Sequence, residues 1–116
     1  MARRKRNKYG NKKTVVNGIT FDSKAEARRY CELRLLERAG EISNLELQPK
    51  FVLIPKHKRR GRTVRQATYK ADFRYVDEDG NTIVEDVKGV ETREFKLKRK
   101  LLEFQNPDLI FEVVTA

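Results

Sequence analysis

Between Gln66 and Val76 the chain alternates without a slip. Ala67, Tyr69, Ala71, Phe73 and Tyr75 fall on one side of an extended segment, and Thr68, Lys70, Asp72 and Arg74 on the other. A period of two over that length predicts a strand with one wet face. Shorter stretches carry the same signal. TVVNGITF sets Asn17 and Gly18 between two β-branched runs, the pattern of a two-residue hairpin turn. LELQPKFVLI, residues 45–54, is rich in strand formers, and Pro49 within it implies a bend or an edge position. TIVEDVK, residues 82–88, follows the turn DEDGN, and LIFEVV is a short apolar strand beyond the stop at Asn106 and Pro107.

In two places the period becomes helical. Ser23 is a natural N-cap with Glu26 three positions later, and good helix formers run from Ala25 until Gly40 ends them, which predicts a helix over 24–39. Tyr30 and Cys31 of that helix are expected in the core. Thr92 caps a second helix running to about Gln105, with Phe95, Leu101, Leu102 and Phe104 as apolar positions and Lys96, Lys98, Arg99 and Lys100 as a basic surface. After the first hairpin the order is therefore helix, three strands, helix, strand. The last strand follows a helix, so it can return parallel to an earlier one through a right-handed crossover. This predicts an α/β fold with a mixed sheet flanked by helices. One domain over 14–116 is expected, preceded by a disordered basic arm over 1–13.

Charge changes the picture. Lysine and arginine number 27 against 17 acids, a formal net charge of +10, which favours a polyanionic partner. Candidate phosphate contacts are Arg3, Arg4, Lys5 and Arg6 in the arm, and Lys58, Arg59, Arg60 and Arg62 in what reads as a basic loop over 56–65. Lys96 and Lys98 on the second helix join them. With Cys31 the only cysteine and His57 the only histidine, an intrachain disulfide, a Cys/His zinc cage and histidine-based nuclease chemistry are all excluded. Carboxylates, lysines and a hard cation remain. No apolar run approaches the roughly 18 residues of a membrane span, and the basic N-terminus lacks the apolar segment of a secretory signal, so an intracellular protein without a membrane partner is expected.

The strand over 82–88 carries three charges where burial would favour valine. Val84, Asp86 and Lys88 share one face, and Ile83, Glu85 and Val87 the other. If Glu78, Asp79 and Gly80 form a three-residue turn, Asp77 pairs with Asn81; Asp72 then faces Asp86, Lys70 faces Lys88 and Arg74 faces Val84. Two carboxylates about 5 Å apart repel by roughly 3 kcal/mol at an effective dielectric near 20. Flanking cations can offset this as a plain charge network. A divalent ion, Mg²⁺ or Mn²⁺, does so more directly. Glu85 reads as an ion-pair partner on the opposite face, with metal ligand as the lesser alternative, Gln48 as a packing amide before a contact to phosphate or attacking water, and Tyr69, Phe73 and Tyr75 as core.

Asp72 followed by Asp86-Val87-Lys88, with Glu26 on a helix ahead of both, resembles the PD-(D/E)XK nucleases, and the likeness covers about residues 15–114. More narrowly, FDSKAEARRY, LELQPKFVL, YKADFRY and VEDVKG look like a phage-borne nuclease family of that superfamily, known only as a domain of unknown function. In general plan the chain is similar to phage Holliday-junction resolvases and to the catalytic domain of a transposase subunit. It departs from the superfamily pattern at Ala71, where a proline would stand before Asp72. The resemblance implies a restriction-endonuclease-like αβββαβ core and Mg²⁺-dependent hydrolysis of DNA. It also implies ligation of the ion by Asp72, Asp86, the Val87 carbonyl and Glu26, with Lys88 orienting or activating the attacking water. Glu26 reads equally well as half of a capping box with Ser23. Branched DNA as substrate, a homodimer and the cytoplasm of a bacterial host follow from the same likeness. The competing expectation is a non-catalytic nucleic-acid-binding module of the same fold.

Overall fold

The computed structural model describes residues 13–116, so Arg3, Arg4, Lys5 and Arg6 and the expected basic arm before Lys13 lie outside the described residues. The described chain opens with a hairpin, β1 (Thr14–Val16) and β2 (Ile19–Phe21). Its turn residues Asn17 and Gly18 have φ of 51° and 78°, the left-handed pair that such a turn requires. The helix α1 (Lys24–Arg38) follows. Six short strands come next: β3 (Ser43–Leu47), β4 (Lys50–Ile54), β5 (His57–Arg59), β6 (Arg62–Val64), β7 (Ala67–Lys70) and β8 (Phe73–Val76). Then come β9 (Thr82–Lys88), α2 (Arg93–Gln105) and β10 (Ile110–Thr115).

A four-stranded sheet in the order β10-β9-β8-β3 forms the centre; β10 runs parallel to β9 and the other pairs are antiparallel. The sheet is mixed, and a helix covers each face. Ile83 of β9 packs with Phe73, Tyr75 and the α1 residues Ala27, Tyr30 and Leu33. Its neighbour Val84 packs with Phe111 and with Phe95 and Leu102 of α2. Successive strand residues point to opposite faces, so these two contacts put α1 and α2 on opposite sides. Leu33, Phe73, Val84 and Leu102 are wholly buried, each contributing about 1.5–3 kcal/mol of transfer free energy.

The β8–β9 turn has three residues. Asp77 N–H donates to Asn81 O at 2.9 Å, and Gly80 takes φ 82°. Arg74 faces Val84 and Phe73 faces Glu85, the register expected from the sequence. The ladder stops there. Lys70 does not reach Lys88; it pairs with Lys50 of β4 instead, because β8 has left β9 by then.

Residues 43–76 form one long bent hairpin. Leu47 faces Phe73 and Lys50 faces Lys70 in the same register, and the gap between them is bridged by Gln48 N–H to Asp72 O at 2.9 Å and Ala71 N–H to Pro49 O at 3.0 Å. A bulge between Val52 and Ile54 shifts the pairing by one residue. From there Ile54↔Ala67 and His57↔Val64 keep step to a turn at Arg60 and Gly61, with φ of 50° and 76°.

Several expectations are corrected. The strand expected over 45–54 is two strands, broken at Gln48, whose φ is 51°. The alternating strand breaks at Ala71 and Asp72, so its apolar row is split: Tyr69 and Ala71 pack on the α2 side, Phe73 and Tyr75 on the α1 side. The loop over 56–65 is the hairpin β5–β6. Cys31 is exposed, since it lies about 100° around the helix from the buried Tyr30. Phe104 is 86% exposed, because the buried line of α2 runs through Phe95 and Leu102.

Candidate functional site

The site lies where β8 parts from β9. Asp72 stands at that point and brackets the β9 main chain: its N–H donates to Glu85 O at 3.1 Å, and its Oδ2 accepts the Val87 N–H at 2.7 Å. The side chain thus replaces the next main-chain acceptor of the interrupted ladder. A strand residue carries its N–H and C=O to the same side, so the Val87 carbonyl also faces the opening beside Asp72. Burial raises the Asp72 carboxyl above its ordinary range and the charge of Asp22 adds to this, while the Val87 N–H, Lys88 and Glu26 oppose.

Asp86 comes from the central strand and is 2% exposed. Burial pushes its carboxyl up to about 6, against lowering contributions from Lys88 and from the Asp72 backbone. Its Oδ2 is buried and has no hydrogen-bond partner. Lys88 Nζ stands 3.9 Å from that oxygen, close enough for charge attraction and too far for a hydrogen bond. The same ammonium lies 4.8 Å from the centre of the Phe95 ring, which anchors it with its side chain one-third exposed. The two aspartates are not ladder partners, and burial, rather than their mutual repulsion, is the first cause of both shifts.

Glu26 approaches from the first turn of α1. Its N–H donates to Ser23 Oγ at 3.1 Å, so the hydroxyl half of the helix cap is made. Its carboxyl is buried and pushed up to about 7, first by desolvation, then by the charge of Asp72, with Asp22 and Asp86 adding. The carboxylates of α1, Asp72 and β9 therefore share one electrostatic environment, with Lys88 as its cation. Asp22 is a fourth acid that the sequence reading missed; its only signal is its place just before the N-cap.

Glu85 is wholly buried on the α1 face and serves as an ion-pair partner. Arg29 grips it with Nε to Oε1 and Nη2 to Oε2, both at 2.7 Å, and the Tyr75 hydroxyl also donates to it. That raises the pKa of both Arg29 and Tyr75, chiefly through the bond to Glu85 for Arg29 and through burial for Tyr75. Neither partner was singled out from sequence, although Arg29 lies one turn beyond Glu26 on the same helix. Gln48 is not a packing amide: it is exposed and lies opposite Asp72. Lys98 is engaged by Glu94 at 3.0 Å, whereas Lys96, Lys58, Arg59, Arg60 and Arg62 are exposed.

Among the described residues no group of three or more His, Cys, Asp or Glu side chains makes a ready-made ion site. The donors present suit a smaller demand. Two aspartates, one of them with an unsatisfied buried oxygen, and the neighbouring Val87 carbonyl match Mg²⁺, which is commonly held by one or two carboxylates and keeps several waters.

Fold and site together define a mixed α/β protein with a largely buried carboxylate cluster and a partly exposed lysine at a break in its sheet. A family profile described as "Protein of unknown function (DUF1064)" matches residues 6–116, and the chain belongs to that family. No curated protein and no solved structure matches it.

Proposed function

We propose that this protein is a divalent-metal-dependent endonuclease of the restriction-endonuclease-like type, acting on DNA. The observation that carries the reading is the buried, unpartnered Oδ2 of Asp86 beside Asp72 and Lys88. A buried carboxylate oxygen without a partner is costly, and a cation in this opening removes that cost. Asp72, Asp86 and the Val87 carbonyl would hold Mg²⁺ or Mn²⁺, with Glu26 bound directly or through water. When bound, such an ion supplies positive charge against the phosphate and lowers the pKa of water.

The chain's own groups do the rest. The Lys88 ammonium, held over Phe95 and partly exposed, would stabilise the negative charge that a non-bridging phosphate oxygen gains during attack. Glu26, near 7, can accept or hold a proton at neutral pH. Exposed Gln48, joined to Asp72 through its main-chain N–H, would donate to substrate from across the break. The order α1, β3, β8, β9, α2, β10 supports the αβββαβ plan, with the long hairpin as an excursion from it. Branched DNA is the preferred substrate and a homodimer the working unit, since paired cuts require paired sites.

The test is cleavage of supercoiled plasmid and of a synthetic four-way junction with Mg²⁺, Mn²⁺ or EDTA. Wild type is expected to cut with either ion and not with EDTA, while Asp72→Ala, Asp86→Ala and Lys88→Ala each lower the rate at least 100-fold and still bind DNA. If wild type and all three variants bind equally and none cuts, the protein is a binding module instead.

A further inference from the structure

The segment 54–66 is thirteen consecutive exposed residues, yet it is not a loop. It is the outer part of the long hairpin, and it stays in register to its turn. A free two-stranded ribbon is marginally stable in water, and among the described residues no other element packs against this one. Its composition makes matters worse. Lys56, Lys58, Arg59, Arg60, Arg62 and Arg65 lie within it, and no acid occurs from Gln48 to Ala71, so none of these charges is offset within the ribbon. Arg59 is directly opposite Arg62, a like-charge pair that destabilises the strand pairing.

The register also sorts these charges by face. His57, Arg59, Arg62 and Val64 share one face; Lys58 and Thr63 share the other, where continuing the alternation also sets Lys56 and Arg65. Both faces are basic. A ribbon laid flat on a phosphate backbone would need charge on one face only. Charge on both faces fits a position between two rows of phosphates.

We infer that β5–β6 is an arm that enters the major groove of B-form DNA beside the site, its two faces turned to the phosphates of the two groove walls. Paired strands about 4.8 Å apart, with side chains, match a groove about 12 Å wide that admits a two-stranded ribbon. The minor groove, about 6 Å wide, is too narrow. The major groove of A-form RNA is deep and narrow, so the arm selects duplex DNA against duplex RNA. This rests on the proposal that DNA is the partner but not on catalysis.

The experiment uses the full chain in EDTA with a 20-base-pair DNA duplex and an RNA duplex of the same sequence. Affinity is measured over a salt series, and bound DNA is probed with dimethyl sulfate, which reads guanine N7 in the major groove and adenine N3 in the minor. The expected result is at least tenfold tighter binding to DNA than to RNA, with N7 protected and N3 not. Arg59→Ala/Arg62→Ala should lose the N7 protection and lower the salt slope by about two, with unchanged thermal unfolding. Equal affinity for the two duplexes, protection of N3 alone, or N7 protection that survives in the double variant would overturn the inference. Because cleavage is not read, a protein that never cuts can still pass, and one that nicks plasmid can still fail.

Discussion

At the scale of single residues, Asp86 and Glu26 make the metal-free protein sensitive to pH. Both carboxyls are raised in the folded state, to about 6 and about 7 from ordinary values of 3.8 and 4.5. A raised acid favours folding while it is protonated, so its contribution is complete below its ordinary value and lost as pH climbs through the folded one. For Asp86 a shift of about two units corresponds to about 3 kcal/mol. Melts in EDTA should therefore show stability falling between about pH 4 and 8. Asp86→Asn should melt higher than wild type at pH 8, and Mg²⁺ should raise the wild-type midpoint there while leaving the variant's unchanged. A flat profile for wild type would refute the assignment. Asp86 beside Lys88 was legible from strand parity alone, whereas Glu26 entered only through the resemblance, since its place after Ser23 reads equally well as a helix cap. Asp22 was not legible, since no periodicity links a residue ahead of a helix cap to a strand fifty positions on.

Among the elements, the polar contact that joins α1 to β9, beside the apolar packing of Ile83, is the Arg29–Glu85–Tyr75 cluster. Glu26 and Arg29 are one turn apart on α1, and Glu85 and Asp86 are adjacent on β9, so the ion pair sets the height at which Glu26 meets Asp86. Arg29→Met should cost about 3–5 kcal/mol in urea unfolding, because it leaves Glu85 buried and unpaired. Arg29→Met/Glu85→Met should recover most of that loss. If the double variant is as unstable as the single, the charge is not what the pairing satisfies. Both helices could be read from their caps, as could the N-terminal hairpin from Asn17-Gly18. The arm could not: its strands hold too few apolar residues to show a period, and main-chain pairing alone continues a ladder begun at Ser43. The bend at Gln48 had Pro49 as its signal, but the matching break at Asp72 sits within an unbroken alternation. There the main chain turns while the side chains keep their order.

For the whole molecule, a net charge of +10 and the exposed cations predict binding dominated by counterion release. Affinity for a DNA duplex should fall by at least 100-fold between 50 and 200 mM salt in a titration at fixed pH. A weak dependence would rule out a polyanionic partner. Self-association belongs to this scale too. Leu97 and Phe104 lie one heptad apart on α2, at 60% and 86% exposure, and form an apolar stripe away from the sheet. The proposed dimer is expected to use it, so Phe104→Glu should shift sedimentation from dimer to monomer without lowering the melting temperature. No helix among the described residues is long and apolar enough to cross a membrane. The unbroken register of the outer half of the long hairpin, from Ile54 to its turn, sets a rule for how such a molecule can be lengthened. Residues added two to each strand of its outer half extend its reach by about 6.6 Å, keep every charge on its face and leave the carboxylate and lysine cluster as it is. A single residue added to each strand keeps the pairing but turns over the charged faces beyond it, and a residue added to one strand alone must be absorbed as a further kink. Reach in this protein is thus a quantity adjusted in whole steps, like the teeth of a zip.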